Sequence, residues 1–242
     1  SIYQLNEKKI EKFSFKNKDE VNKAILEIKD KKFNITDISS KVVNRNPSGP
    51  FTTSTLQQVS SSRLGFGASR TMQIAQKLYQ GIEIDGETIG LITYMRTDGT
   101  NLSADAISEF RDFIKDIYGN EYLPENPLNY SGKKAKNAQE AHEAIRPTDI
   151  SRSPESVKKY LSADQLKLYN LIWSRALSSQ MESAKFDRNT IIVKSDDNSE
   201  IFKASGSVVK FDGFLKIFKD QKKDDDENIL PQMLEGPVNI EA

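Results

Sequence analysis

Cysteine is absent from this 242-residue chain, which excludes disulfides and thiolate metal sites and permits a reducing cytoplasm. Histidine occurs once, as His142, so no second imidazole or thiolate can complete a transition-metal site. Net charge is also missing: 35 Lys+Arg balance 35 Asp+Glu. A strongly basic domain would point to nucleic acid by itself; here any such binding must come from a local cluster. No apolar run approaches the length of a membrane-spanning helix, and no signal-peptide pattern is visible. Apolar residues are sparse too, at 36%, which fits a folded chain with much polar surface. The chain starts at Ser1 rather than Met and stops within the strand-like "GPVNIEA". A piece of a longer protein is therefore expected.

Strand-like stretches occupy both ends. Residues 1–15 carry Ile10, Phe13 and Phe15 among charges, and "KFNITDISSKVV" reads as one or two strands. Between them Asn17 is a plausible N-cap for a helix whose Val21, Ala24, Ile25 and Ile28 share a face. "NRNPSGP" reads as a linker. Helical patterns follow: "STLQQVSSSRL" with Ser54 and Gln57 in capping-box spacing, the turn "LGFG", and "ASRTMQIAQKLYQG" stopped at Gly81. "EIDGET" is a tight turn and "GLITYM" a strand. Ser103 caps a helix ended by Gly119. "AQEAHEAI" predicts a short helix stopped by Pro147, and Ser162 with Gln165 opens the longest helix, running on to Phe186. Strands return with "NTIIVKS", "EIFKASGSVVKF", "FLKIF" and "GPVNIEA", interrupted by the charged loop "KDQKKDDDEN". The expected fold is α+β: a mostly helical, winged-helix-like domain, 53–184, interposed in a β-rich domain made of 1–52 and 185–242.

Three groups of residues carry chemistry. On a strand, Tyr94 and Arg96 would share one face. A free phenol has a pKa of about 10, and a neighbouring cation favours its phenolate. A guanidinium fork grips phosphate and stabilises charge during attack on a phosphodiester. The same spacing equally suits a strand-forming tyrosine beside a packing arginine. His142 shares a predicted helix side with Gln139, Glu143 and Arg146, a face that could hold a phosphate or remain solvated. Arg63 and Arg70, with Ser54, Gln57 and Gln58, give the helical pair a basic side that could follow a DNA backbone or face water.

"PFTTSTLQQVSSSRLGFGASRTMQIAQKLYQG", "ITYMRTDGTNLS" and "QEAHEAIRPTD" occur in that order. Together they resemble the signature segments of the bacterial DNA topoisomerase I branch of type IA topoisomerases, and span residues 50 to 149. Met95 fits that branch, since the related topoisomerase III branch tends to carry proline there. The resemblance implies that Tyr94 is the nucleophile that becomes joined to a 5′ phosphate, leaving a 3′ hydroxyl. It implies that Arg96 holds the scissile phosphate and that His142 contacts it. Thr93, Asp98, Arg146 and Arg63 are expected DNA contacts. Relaxation of negative supercoils without ATP follows from storing the bond energy in the phosphotyrosine.

The resemblance also implies Mg2+ held in a separate toprim domain outside this chain. "DDDE", 224–227, lacks the surrounding strand pattern and is not taken for a metal site. The chain resembles the two middle domains of the family, an arch that opens the gate, and is expected to be inactive alone. Its partners would be single-stranded DNA and the enzyme's own toprim and flanking domains, in a monomer at the cytoplasmic nucleoid. Two local departures, Gly99 where serine is usual and "NPSGPF" for a more proline-rich run, fall in loops. The alternatives are a non-enzymatic helix-turn-helix-like DNA-binding module and a scaffold arch without DNA contacts.

Overall fold

The computed structural model describes residues 2–11, 13–130, 143–219, 230 and 233–238. In chain order the elements are β1 (Ile2–Leu5), β2 (Lys8–Lys9), α1 (Lys18–Lys29), β3 (Phe33–Arg45), α2 (Thr53–Leu64), α3 (Ala68–Gln80), β4 (Ile82–Ile84) and β5 (Glu87–Ile89). They continue with α4 (Ala104–Tyr118), α5 (Pro154–Val157), α6 (Ala163–Ser178), β6 (Ala184–Ser195), β7 (Ile201–Phe211) and β8 (Gly236–Val238). Two compact units result. One comprises Ser1–Asn44, Lys185–Phe211 and Gln221–Ala242; the other comprises Arg45–Ala184 and Asp212–Asp220. The segment Asp212–Asp220 groups with the helical unit.

The β-rich unit is built on one sheet in the order β2-β1-β7-β6-β3-β8. β6 and β7 form its long antiparallel hairpin, with Thr190 opposite Ser205 and Ile192 opposite Lys203. "KFNITDISSKVV" proves to be one strand, β3, whose start pairs antiparallel with β8. Asn17 caps α1 by accepting the Glu20 N–H. Just beyond that helix, Lys31 donates to Glu200 at 2.6 Å and to Asp197 at 2.9 Å, at the turn of the β6–β7 hairpin. The Glu200 carboxylate is buried, and its Oε1 has no hydrogen-bond partner. Burial opposes its ionisation, yet the bonds from Lys31 and Ser199 outweigh that and hold its pKa below the ordinary 4.5. Hydrogen bonds from Ser195, Ser199 and Lys31 depress Asp197 as well.

The helical unit is organised around α6, which packs on α2, α3 and α5. Its Leu168, Tyr169, Ile172, Ala176 and Leu177 are fully buried. The Trp173 indole N–H donates to the Ile150 carbonyl at 3.0 Å, which satisfies the one polar atom of a large apolar side chain. Ser103, Gly119 and the Ser162–Gln165 capping box all act as the sequence predicts. At α2, however, the box is Thr52 with Thr55, two residues ahead of the predicted Ser54–Gln57. Gly65 at φ 68° ends α2 in the left-handed conformation that glycine adopts without penalty.

Three predicted elements differ. α6 stops at Ser178, where the hydroxyls of Ser178 and Ser179 bond back to the carbonyls of Arg175 and Ala176. "FLKIF" is a 3₁₀ turn, Gly213–Lys216, that buries Phe214, Leu215 and Phe218 in the helical unit. Its Gly213 lies at φ 49°, where an added Cβ would come within 2.5 Å of the Glu182 carbonyl oxygen. "GLITYM" enters no regular ladder; Ile92 makes a single bridge to Pro147. The loop holding "DDDE" lies outside the described residues.

Acid titration tests the buried carboxylate. A depressed folded-state pKa adds stability that is present above the ordinary carboxylate value and is lost as pH falls through the folded one. Urea denaturation of the chain is therefore expected to show the β-rich unit weakening as pH drops below about 4. In Glu200→Gln, that acid dependence should be shallower.

Candidate active site

The segment Leu91–Asp98 is held by its backbone and by alternate side chains. Leu91, Ile92, Met95 and Thr97 are buried, whereas Tyr94, Arg96 and Asp98 are exposed. From Tyr94 to Asp98, exposed and buried residues therefore alternate without a regular strand. The irregular backbone has three anchors. Leu91 N–H donates to the Leu78 carbonyl at the end of α3. Thr93 N–H donates to the Arg146 carbonyl, and its hydroxyl to the Ala144 carbonyl at 2.8 Å. At the far end, the Thr53 hydroxyl donates to the Met95 carbonyl at 2.8 Å and accepts the Thr97 N–H at 2.8 Å. Thr53 N–H closes the ring by donating to the Thr97 carbonyl at 2.9 Å.

A short extended stretch supports this segment from behind. Residues 143–147 bridge singly to Asn101, Phe51 and Ile92. The predicted helix "AQEAHEAI" is thus extended over its described part. Ala144 and Ile145 are fully buried and their amides bond to Asn101 and Phe51 across the chain, which favours bridging over a helical turn. Residues 131–142, His142 among them, lie outside the described residues.

The remaining predicted residues separate into two groups. Arg146 adjoins the site through its backbone, but its guanidinium makes a paired contact with Glu143 at 2.7 and 3.2 Å. Glu143 also accepts the Ser103 N–H at 2.9 Å. Burial opposes its charge, and the bonds from Arg146 and Ser103 overcome that and lower its pKa. Arg146 is thereby a brace between the site's supporting stretch and the start of α4. Arg63 lies at the opposite end of α2 from Thr53, about 15 Å along the axis, with its guanidinium over the Phe218 ring at 4.1 Å. Arg70 pairs with Asp164. Neither lies in the segment that carries Tyr94 and Arg96.

Arg96 borders an open groove of about 740 Å³ that runs along α3 past Gln73, Gln76, Lys77 and Gln80. An exposed guanidinium on a polar groove, two residues from an exposed phenol, has the chemistry to engage a phosphodiester: a fork binds phosphate oxygens and a phenol can meet phosphorus. Among the described residues, no three His, Asp or Glu side chains converge into a group that could hold a metal ion. Glu143 is committed to Arg146 and Ser103.

The family model described as DNA topoisomerase matches residues 2–241. The chain belongs to the DNA topoisomerase family. It is 48% identical to DNA topoisomerase 1 of Rickettsia typhi over 93% of its own length and 29% of that relative's. With DNA topoisomerase 1 of Campylobacter jejuni it shares 44% identity, over 97% of the chain and 33% of the relative. The solved full-length topoisomerase I of Thermotoga maritima superposes with a TM-score of 0.76 at 35% identity, covering 95% of this chain and 36% of that one. The chain thus spans about a third of the length of the relatives it matches. The branch is bacterial topoisomerase I of type IA, with an α+β fold. A non-enzymatic helix-turn-helix module is not favoured.

Sequence reasoning missed Thr53. The signal was present in the run "TTST", where the first threonine caps the helix and the second, just inside it, turns its hydroxyl outward to a neighbouring segment. Thr53→Val keeps the shape and removes both hydroxyl bonds. It is expected to cost about 1–3 kcal/mol in urea melting, because the Thr97 N–H loses its partner. Hydrogen exchange at that amide should accelerate.

Proposed function

We propose that this chain is the part of a type IA DNA topoisomerase that carries the nucleophile. The observation supporting it is the exposure of Tyr94 and Arg96 on a segment whose Met95 and Thr97 are buried and bonded to Thr53. In this reading the Tyr94 phenol oxygen attacks the phosphorus of a DNA phosphodiester. One O–P bond forms, and the bond from phosphorus to the 3′ oxygen breaks. The phenol loses its proton and the leaving 3′ oxygen gains one. Because one phosphodiester replaces another, religation needs no ATP, and passage of a second strand through the gap relaxes negative supercoils.

Arg96 binds the non-bridging oxygens and offsets the charge that grows on them. His142 is the proposed second phosphate contact, on the strength of the resemblance. Thr93 uses both its N–H and its hydroxyl within the chain, so its part is to hold the Tyr94 backbone. Asp98, exposed on the nucleophile's side, is a candidate to face the 3′ side of the break. Arg146 contributes by keeping the supporting stretch in place, and Arg63 is the weakest candidate for a DNA contact. Magnesium belongs to a toprim domain outside this chain, and the partners are single-stranded DNA and that domain with its neighbours. A monomer acting at the nucleoid in the cytoplasm completes the reading.

Two outcomes test it. In the whole enzyme, Tyr94→Phe should abolish the covalent DNA adduct on denaturing gels, and a persistent adduct would falsify the assignment. Arg96→Ala should slow cleavage by about 10²–10³-fold with an unchanged melting curve. The 242-residue chain alone is expected to leave a supercoiled plasmid unrelaxed.

A further inference from the structure

The Tyr94 ring is about half exposed, so burial does not choose its rotamer. Among the described residues its aromatic neighbour is Tyr79, with ring centroids 5.3 Å apart and planes at 63°, an edge-to-face arrangement. Tyr79 is itself 41% exposed. The two rings nevertheless come from backbones in direct contact. Tyr79 occupies the last turn of α3, where the adjoining Leu78 is fully buried and its carbonyl accepts the Leu91 N–H at 2.8 Å. One residue earlier, a Cβ on Gly90 would stand 2.7 Å from the Tyr79 carbonyl oxygen, so glycine is what lets the chain pass this closely. Two exposed side chains are thus presented to each other by two main chains that are hydrogen-bonded together.

We propose that Tyr79 is a positioning residue for the nucleophile: its ring closes off part of the Tyr94 ring's rotation and so limits the positions open to the phenol. This rests on Tyr94 being the nucleophile. Edge-to-face pairs are attractive beyond the area they bury, because the positive edge of one ring meets the negative face of the other. Attack requires the reacting atoms to be held close and aligned, so a freely rotating phenol spends most of its time misplaced. A pair of this strength corresponds to roughly threefold to tenfold in the cleavage rate. Two rival roles for an exposed tyrosine give different readouts. A platform stacking on a DNA base would set affinity for the strand. A purely structural residue would set the melting temperature.

The test uses the full-length enzyme with Tyr79→Ala and Tyr79→Phe. With a saturating single-stranded oligonucleotide, Tyr79→Ala should form the covalent adduct about threefold to tenfold more slowly in single turnover. Oligonucleotide affinity and melting temperature should stay unchanged, and Tyr79→Phe, which keeps the ring, should restore the rate. An unchanged cleavage rate in Tyr79→Ala overturns the proposal. So does an affinity loss equal to the rate loss, or a failure of Tyr79→Phe to rescue. A second readout does not depend on catalysis. With 3-fluorotyrosine incorporated in the 242-residue chain, the ¹⁹F resonance of Tyr94, assigned by its loss in Tyr94→Phe, should shift when Tyr79 becomes alanine. No shift overturns the ring contact. If instead the whole enzyme keeps its adduct in Tyr94→Phe, the nucleophile assignment fails while the ¹⁹F shift still reports on the pair.

Discussion

One threonine hydroxyl carries the candidate site. Thr53, at the first position of α2, holds the carbonyl of the residue after the tyrosine and the amide of the residue after the arginine. The segment between has no ladder to fix it, so those bonds replace what a neighbouring strand would supply. With Met95 and Thr97 drawn inward, Tyr94 and Arg96 have one direction left. Period-two exposure is usually a property of sheets. Here it is produced by a helix start on one side and the extended stretch 143–147 on the other. The arrangement leaves the Tyr94 side chain exposed on a backbone that hydrogen bonds hold on both sides.

The two units use their polar residues differently. In the helical unit they close loops onto the core, as with the Trp173 indole, the Tyr169 hydroxyl bonded to Arg152, and the Tyr130 hydroxyl bonded to Pro47 and Ser179. Burial pushes the Tyr130 phenol up to about 12, against the pull of Arg175. Burial and the Asp212 carboxylate do the same for Tyr122. These phenols are structural and stay protonated. Tyr94 differs from them in place: it is exposed. In the β-rich unit the polar investment is concentrated at the β6–β7 turn, where Lys31 gathers two carboxylates.

Local signals in the sequence were legible where they act locally. Caps at Asn17, Ser103 and Ser162, and the glycine stops at Gly81 and Gly119, follow from side-chain chemistry within a few residues of each helix end. The family was legible because three segments recur in order. What escaped was set by distant partners. "FLKIF" alternates like a strand, yet Arg63 and Arg175 both stack on Phe218 and draw the segment into the helical unit. "EAI" has helix formers, but its amides find Asn101 and Phe51 first. Tyr94 and Arg96 were found from spacing and resemblance together. Thr53 and Tyr79 needed coordinates, because nothing within their own helices marks what those helices meet.

The hairpin β4–β5 leaves α3 at Gly81 and returns at Gly90, turning on Asp85 and Gly86, both at positive φ. The Leu78 carbonyl and the Leu91 amide already meet at its base. Everything between those points is therefore a detour whose two ends are tied together. The distance between the tyrosines on either side is therefore set at the hairpin's base and not by its length. The glycine at its return has no such independence, since a side chain on Gly90 would push apart the turn of helix and the segment that it joins.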